Sequence, residues 1–384
     1  MQKKLLVLAI AALASTSAFA DSTTTLYGVV DAAVANVSGS GLIGGTTVVA
    51  SGLATSRFGV KNVEQLDGGL TAVVVLEYGL DNATNATVGT TAGATAVKAR
   101  QQLLGLAGGF GTVAAGFLQT AGWDFGAKYN VVAGSLVSPL GNLTKGQLFL
   151  IGDQALANRA QRAVAYISPS IGGLTVAVNY ATALDLSGAP LKYGTVGNFG
   201  DAANLNTSTT NAGVSATLVS LDYTAGPLSV GLVYAGTNAE AYQALDITEY
   251  ALGVAYTADV AKITATYQTS KFGNADTTTN TNAQSSNSVY SIGAAIPVTA
   301  AGTVVLSYAG STINNIASGA LSQNATSYAV GYLQGLSKTT TAYLAYSGVT
   351  QSNGTSAVTV ANDLLTTTAG GNSSVLALGL NKKF

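Results

Sequence analysis

Residues 373–384 read SSVLALGLNKKF, and their side chains alternate between two kinds up to the terminal aromatic residue. The apolar kind comprises Leu376, Leu378, Leu380 and Phe384, and the small or polar kind comprises Ala377, Gly379, Asn381 and Lys383. Because successive side chains of a β-strand point to opposite faces, the segment predicts a strand with one side toward lipid and one toward water.

The same alternation recurs along the chain, where tyrosine often ends an apolar series. Examples lie at 174–180, 228–235, 250–256, 304–308 and 328–332. Tyrosine suits a membrane interface, since its ring is buried while its hydroxyl stays wet. A soluble β-sandwich would alternate in the same way. However, only 9% of the residues are charged, which is low for a soluble surface, so the pattern favours a membrane barrel.

The connections between the expected strands alternate between short and long. Short turns fall at 65–69, 107–111, 168–173, 224–227, 257–261, 296–302 and 333–338. Longer polar segments fall at 37–50, 82–96, 120–158, 184–212, 237–248, 273–287, 313–325 and 350–372. Seven short turns and eight long loops give 15 connections, hence 16 strands. The predicted fold is all-β, a 16-stranded antiparallel transmembrane β-barrel with a lumen wide enough to hold water.

Residues 1–20 have the layout of a secretory signal peptide. Lys3 and Lys4 precede an apolar stretch at 5–13, and small residues at 18 and 20 precede Asp21. The apolar stretch is shorter than the roughly 20 residues that a spanning helix needs. The expected organisation is a signal peptide at 1–20 followed by one barrel domain at 21–384.

The composition argues against catalytic functions. Cys and His are absent, which removes disulfides, thiolate nucleophiles, imidazole bases and the usual zinc ligands. The glycine-rich stretch 108–111 lies between two expected strands, with no helix to present its N-terminus to a phosphate. No motif pairs two carboxylates, and the basic residues are too dispersed for a nucleic-acid surface. The sequence therefore predicts no enzyme, no cofactor and no metal site.

Basic residues predict one face of the lumen. All four arginines lie in the first half of the chain, and Arg57 and Lys61, like Lys98 and Arg100, are separated by even spacings. Even spacing puts strand side chains on one face, which should be the lumen because a charge facing lipid costs about 2–4 kcal/mol. The predicted basic stripe comprises Arg57, Lys61, Lys98, Arg100 and Arg159. Arg162 has the opposite parity to Arg159, so one of them lies at an interface, beyond the membrane or on irregular backbone, and Arg159 is the pore candidate.

Acidic residues are expected to face this stripe across the pore. Asp31 and Glu77 lie on the first and third expected strands, and Asp124 and Asp153 lie in the longest loop. Opposite charges across a narrow wet constriction create a transverse field that penalises large apolar solutes. The alternative is that these charges only solvate a polar lumen or pair locally. As a constriction, the basic stripe favours a weak anion preference.

Several short blocks are distributed along the whole chain. They include LYGVVD at 26–31, SRFGVK at 56–61, EQLDGGL at 64–70, LEYG at 76–79, GFGTV at 109–113, YISP at 166–169 and GLNKKF at 379–384. In sequence, order and spacing these blocks resemble the general-diffusion porins of betaproteobacteria and Neisseria, which makes the resemblance specific to the family. It implies a channel in the outer membrane of a Gram-negative bacterium, for passive diffusion of ions and small hydrophilic solutes.

The resemblance also implies a homotrimer in outer-membrane lipid, with the third external loop folded inward to narrow the pore. Here that loop is 120–158, and its length and apolar content argue against disorder. The terminal Phe384 would be the signal that the barrel assembly machinery reads. The chain departs from the family in the loop lysines Lys128 and Lys145 and in 159–165, which lacks an Asn-rich character.

Two other non-catalytic functions are the alternatives. A substrate-specific outer-membrane channel would line its lumen with aromatic or charged ladders dedicated to one solute. A barrel-anchored surface adhesin would need long external loops or a passenger domain. The expected inward residues are small and form no such ladder, and the loops are too short for a separate domain, so the sequence favours the general pore.

Overall fold

The computed structural model describes residues 22–40, 44–83, 99–144, 149–155, 158–184, 214–239, 246–272, 286–314, 323–352, 365 and 370–384. The predicted signal peptide, Lys98 and Lys145 lie outside these residues. Strands make up most of the described chain. Among the described residues, no helix is both long and apolar enough to cross a bilayer.

The strand segments form a single sheet in which paired strands run antiparallel. They are β1 (Ser22–Gly39), β2 (Gly45–Ala50), β3 (Arg57–Leu66), β4 (Leu70–Gly79), β5 (Ala99–Gly108), β6 (Gly111–Gln119), β7 (Arg159–Ile167), β8 (Leu174–Leu184), β9 (Val214–Ala225), β10 (Leu228–Ala239), β11 (Ile247–Thr257), β12 (Lys262–Phe272), β13 (Ser286–Pro297), β14 (Gly302–Asn314), β15 (Gln323–Gly335), β16 (Thr340–Gln351) and β17 (Asn372–Lys383).

The sheet closes on itself through its first and last strands. The register of this seam between β1 and β17 runs from Val29 opposite Lys383 to Gly39 opposite Ser373. The terminal residue continues the ladder, because Gly28 and Phe384 exchange backbone hydrogen bonds of 3.0 and 3.1 Å. The closed antiparallel barrel predicted from the alternation and the connection lengths along the chain is confirmed.

The second barrel strand is interrupted. β2 pairs with the C-terminal half of β1, and β3 pairs with the N-terminal half. β2 and β3 are therefore two parts of one barrel strand, so the predicted number of 16 strands is confirmed. The expected loop at 37–50 is shorter in the structure and falls between Gly39 and Gly45, because β1 continues to Gly39 and the β-branched residues 46–49 pair with it. The second barrel strand is interrupted separately, at 51–56.

The short turns lie where the sequence predicts them. Between β3 and β4 the chain makes a 3-10 turn, Asp67–Gly69, in which Gly68 and Gly69 have φ of 73° and 75°. Residues other than glycine adopt such positive φ angles poorly. The other short connections are 109–110, 168–173, 226–227, 258–261, 298–301 and 336–339.

The two faces of the barrel wall differ as an outer-membrane barrel requires. In β11, Tyr250 and Leu252 are 55% and 44% exposed on the outside, whereas Glu249 and Ala251 on the inside are buried. The same alternation runs through β13, β15 and β17. An exposed apolar band on a closed barrel is a surface for lipid.

The long connection 120–158 contains regular structure that the sequence analysis did not predict. Helix α1 (Ala121–Tyr129) begins after Thr120, whose side chain accepts a hydrogen bond of 3.3 Å from the Trp123 N–H. Helix α2 (Pro139–Thr144) starts with proline at its first position, where no N–H is needed. α1 contacts β8 to β12, and α2 contacts β13 to β16.

Candidate functional site

Two arginines and a tyrosine converge on one carboxylate in the wall formed by β1, β3, β4 and β5. Glu77 lies 2.8 Å from Arg100 Nε and 3.4 Å from Arg57 Nε, and it accepts a hydrogen bond of 3.1 Å from the Tyr27 hydroxyl. The Glu77 side chain is 5% exposed, Arg100 is 14% exposed and Arg57 is 28% exposed. The cluster therefore carries one net positive charge, and Arg57 is its most accessible cation.

The strand ladder explains why Arg57 and Lys61 face inward. Lys61 lies opposite Val75, and Gly59 lies opposite Glu77. The side chains of Val75 and Glu77 are buried on the inner face. Since Arg57, Gly59 and Lys61 share one parity, both cations lie on that face. Lys61 is half-buried, and Arg57 also donates a hydrogen bond of 2.8 Å from Nη1 to the Thr55 carbonyl.

Arg100 reaches the same cluster by another route. In the ladder, Gln101 lies opposite Glu77 and Ala99 lies opposite Tyr78, which leaves Arg100 in a β-bulge. Simple alternation gives the inner face to Gln101 and not to its neighbour, but the bulge redirects the arginine so that its Nε contacts Glu77. Even spacing from Lys98 was therefore not the reason for the position of Arg100.

Arg159 and Arg162 lie on β7, further around the wall. Arg159 begins the strand opposite Gln119, and its Nε and Nη2 atoms are buried. Arg162 is exposed and has a φ of 48°, at a bulge where two residues of β7, Gln161 and Arg162, lie opposite one residue of β6. Arg162 thus occupies irregular backbone, one of the three places that its parity allowed.

The four candidate acids differ in their surroundings. Glu77 joins the arginines, whereas Asp31 is fully buried and accepts hydrogen bonds from neutral groups at the seam. Asp124 accepts a hydrogen bond of 2.7 Å from Gln119 Nε2 at the start of α1. Asp153 is buried inside the connection 120–158, where it accepts from the Gly134 N–H and Asn130 Nδ2. Direct pairing with the basic stripe is thus seen for Glu77.

A buried acid missed by the sequence analysis holds the connection 120–158 against the wall. Glu249 of β11 accepts hydrogen bonds from the N–H groups of Leu150 and Ile151, and from Gln268 Nε2 at 3.0 Å. Gln268 also donates a bond of 2.7 Å to the Ile151 carbonyl. Glu249 alternates with exposed Tyr250 in the sequence, so parity alone would have placed it on the inner face.

A notch of two facing glycines receives α1. Gly231 and Gly253 lie opposite each other in β10 and β11, and a Cβ added to them would be 2.5 and 2.6 Å from the Tyr129 ring. Only a residue without a side chain allows this approach. The Tyr129 hydroxyl donates a hydrogen bond of 2.9 Å to Asp222, which also pairs with Lys128.

No three His, Cys, Asp or Glu side chains in the described ranges come together as a metal site. The inner wall also presents hydroxyl groups away from the charged cluster, including those of buried Ser307 on β14 and Ser327 on β15. Fixed cations and neutral polar groups around a water-filled passage act on ions and small polar solutes through their electric field, and the width of the passage limits solute size.

The whole-chain comparisons agree with this geometry. A family model described as Gram-negative porin matches residues 7–355. The chain belongs to the Gram-negative porin family. This porin is similar to outer membrane porin protein 32 of Delftia acidovorans, with 30% identity over 89% of this chain and 88% of that protein. It is also 28% identical to an outer membrane porin protein of Bordetella pertussis, over 70% of this chain and 69% of that protein.

Solved structures show the same fold. The anion-selective porin from Comamonas acidovorans is 25% identical to this porin and superposes with a TM-score of 0.72, over 95% of this chain and all (100%) of that chain. The trimer form of OmpT from Vibrio cholerae, at 15% identity, superposes with a TM-score of 0.66 over 94% and 99% of the two chains. This porin is therefore a diffusion channel in the outer membrane of a Gram-negative bacterium, and its relatives by sequence are channels and not enzymes.

Proposed function

We propose that the pore is narrowed between the Arg57–Arg100–Glu77 cluster and the connection 120–158 folded into the lumen. The connection contacts inward-facing side chains: Leu140 and Phe149 share a buried apolar cluster with Val289, Ala309 and Ala325 of β13 to β15. It thereby covers the wall from β8 to β16, opposite the arginines on β3 and β5. Solutes then pass between a charged wall and a loop-covered wall.

The cluster favours anions. Two guanidinium groups face one carboxylate, and Lys61 lies on the same face. One unit charge changes the energy of a monovalent ion 4 Å away by about 1 kcal/mol in bulk water. A single uncompensated cation thus suffices for a several-fold preference at the narrowest point. The anion selectivity of the Comamonas acidovorans porin, whose fold this chain shares, supports the same sign.

Replacing both arginines tests this assignment. The double variant Arg57→Gln and Arg100→Gln should shift the reversal potential in a KCl gradient toward cations, because Glu77 then stands alone. The measurement is made on single channels in planar bilayers, together with liposome swelling across neutral sugars. Arg162→Gln is the matched control, since Arg162 lies exposed in a bulge of β7. An unaltered reversal potential in a correctly assembled double variant contradicts the constriction.

We also propose a homotrimer in outer-membrane lipid, formed by residues 21–384 after a signal peptide at 1–20 is removed. The trimer form recorded for the Vibrio cholerae OmpT structure and the exposed apolar band support this assembly. Cross-linking of the purified porin in detergent, with mass spectrometry of its N-terminus, tests both parts. A monomer that conducts normally would contradict the trimer.

Phe384 is proposed as the assembly signal. Its backbone pairs with Gly28 and completes the seam, and its ring is 55% exposed. Deletion of Phe384 should lower the amount of barrel in the outer membrane several-fold, measured by heat-modifiable mobility in gels. Phe384→Tyr keeps an aromatic terminus and should assemble as the parent does. Equal assembly of the deletion variant would argue against a signal at this residue.

A further inference from the structure

The break in the second barrel strand is an insert of six residues, 51–56. The ladder with β1 resumes on either side of it, since Ala50 lies opposite Ala32 and Arg57 lies opposite Val29. Within β1, only Val30 and Asp31 lie between those pairs. The insert therefore leaves the regular sheet immediately before the most accessible arginine of the pore cluster.

Asp31 organises this insert through its carboxylate. The N–H of Leu53 lies 3.3 and 3.2 Å from its two oxygens, and the N–H of Ala54 donates at 3.2 Å. The Tyr343 hydroxyl donates at 2.7 Å and Asn381 Nδ2 at 2.6 Å, from β16 and β17 across the seam. All of these donors are neutral, and the carboxylate is fully buried. Several good hydrogen bonds to a buried anion fix its donors firmly.

The backbone of Asp31 holds the two ends of the insert. Its N–H donates to Ser56 Oγ at 2.9 Å, and the Ser56 hydroxyl donates to the Asp31 carbonyl at 3.1 Å. The Ser51 N–H donates to the same carbonyl at 2.9 Å. Ser51 has a φ of 70°, so the chain turns sharply where the insert begins. One residue of β1 thus binds the start, the middle and the end of the insert.

The insert in turn contacts both sides of the proposed constriction. Arg57 Nη1 donates a hydrogen bond of 2.8 Å to the Thr55 carbonyl, which restrains the guanidinium. The Leu136 N–H, from the connection 120–158, donates to the Gly52 carbonyl at 2.8 Å. Leu53 and Val137 also belong to one apolar cluster on the inner face of the seam, with members from β1 and β15 to β17.

We infer that Asp31 is a positioning residue for the constriction. It fixes the insert 51–56. The insert in turn fixes the side chain of Arg57 on one side and, on the other, the tip of the connection 120–158, which is Leu136 and Val137. Asp31 therefore sets the ion preference through Arg57, without facing the permeating ion itself. This inference rests on the proposed role of Arg57 in the pore.

The decisive experiment is a double-mutant cycle between Asp31 and Arg57, read as reversal potential in a KCl gradient. Asp31→Asn keeps the shape of the side chain, but its amide group cannot accept all the hydrogen bonds of the carboxylate. Asp31→Asn should shift the reversal potential toward cations, in the same direction as Arg57→Gln. In the Arg57→Gln background it should cause no further shift, because the effect passes through Arg57. Asp67→Asn, in an exposed turn, is the matched control for removing one negative charge.

The sign of the shift separates the two roles of Asp31. Loss of an acid that faces the ion would move selectivity toward anions, so an anion-directed or additive shift overturns the inference. An unchanged reversal potential in an assembled Asp31→Asn porin also overturns it. If that variant does not assemble, Ser56→Ala removes the hydroxyl bridge without changing charge, and it must give the same cation-directed shift.

A second measurement does not depend on ion selectivity. The chain has no cysteine, so a Leu53→Cys and Val137→Cys pair with a short bifunctional reagent reports whether the tip is docked on the insert. Cross-linking should slow several-fold when Asp31→Asn is added, and an equal rate argues against positioning. If Arg57→Gln itself leaves selectivity unchanged, the proposed constriction fails, while the cross-linking rates still decide what Asp31 holds.

Discussion

The two halves of the inner wall differ in what they present to the lumen. The wall at β10 and β11 carries Gly231, Ala251 and Gly253, and it is covered by helix α1. The wall at β3 and β5 carries Arg57 and Arg100 around Glu77. Small side chains give protein a surface to pack against, whereas charged side chains retain water. The contrast supports the proposed division of the lumen into one side that holds the connection 120–158 and one side that faces solutes.

The largest expected effect comes from filling the glycine notch. Gly253→Val would drive side-chain atoms into Tyr129 and Phe125, because even a Cβ there would be 2.6 and 2.8 Å from these rings. Overpacking of this kind costs about 1–3 kcal/mol, so α1 should leave the wall. Single-channel conductance should change several-fold and fluctuate. Gly45→Val is the control, since a Cβ at Gly45 meets nothing within 4 Å. Parent-like conductance in Gly253→Val would show that the notch does not hold α1.

A smaller effect is expected on the charged wall. Glu77→Gln leaves two guanidinium groups without their carboxylate, so the cluster gains one positive charge and repels itself. The reversal potential should move further toward anions, while the midpoint of thermal unfolding falls. Glu64→Gln, near the turn end of β3, removes the same charge and should have little effect on either quantity. A shift toward cations in Glu77→Gln would break the contrast between the two walls.

The smallest expected effect is a dependence on pH at the start of α1. Burial raises the pKa of the Asp124 carboxyl to about 6, Asp222 adds to the rise, and the hydrogen bond from Gln119 opposes it. The carboxyl loses its charge as the pH falls through about 6, so anion preference should increase between about pH 7.5 and 5. Its folded pKa exceeds the unfolded value of about 3.9, so ionised Asp124 lowers stability, a cost that fades as pH falls from about 6 toward about 4.

Asp124→Asn tests the origin of this pH response. The asparagine variant should show a flat reversal potential over the same range, at a level near that of the parent at low pH. The chain has no histidine, so no imidazole titrates in this window. A response that persists in Asp124→Asn would assign it to another carboxyl.

The fold could be predicted from the sequence because alternation and turn chemistry are local. The strand number, the short turns and the inward parity of Arg57 and Lys61 follow from spacing alone. Irregular backbone could not be predicted in this way. The bulges at Arg100 and Arg162 break the parity on which the prediction relied, and the six-residue insert interrupts a barrel strand between β2 and β3.

The candidate site was harder to predict because its contacts are distant in sequence. The parity of Asp31 in β1 directs its side chain toward the lumen. However, Tyr343 and Asn381 reach it across the seam and donate hydrogen bonds to its carboxylate. The local sequence around Asp31 does not indicate hydrogen-bond partners more than 300 positions away. Glu249 lies in the second half of the chain, far in sequence from the arginines that define the predicted stripe.

The seam also has a consequence for how the barrel is made. β1 and β17 are neighbours in space but stand at opposite ends of the chain, so the ladder cannot close before the last strand has been synthesised and exported. Until then every intermediate has two unpaired edges, which invite pairing with other chains. Pairing strands that are so distant in sequence also has a high entropic cost, which slows folding. Closure therefore requires the complete set of strands, because a polypeptide that ends before β17 lacks the strand that pairs with β1.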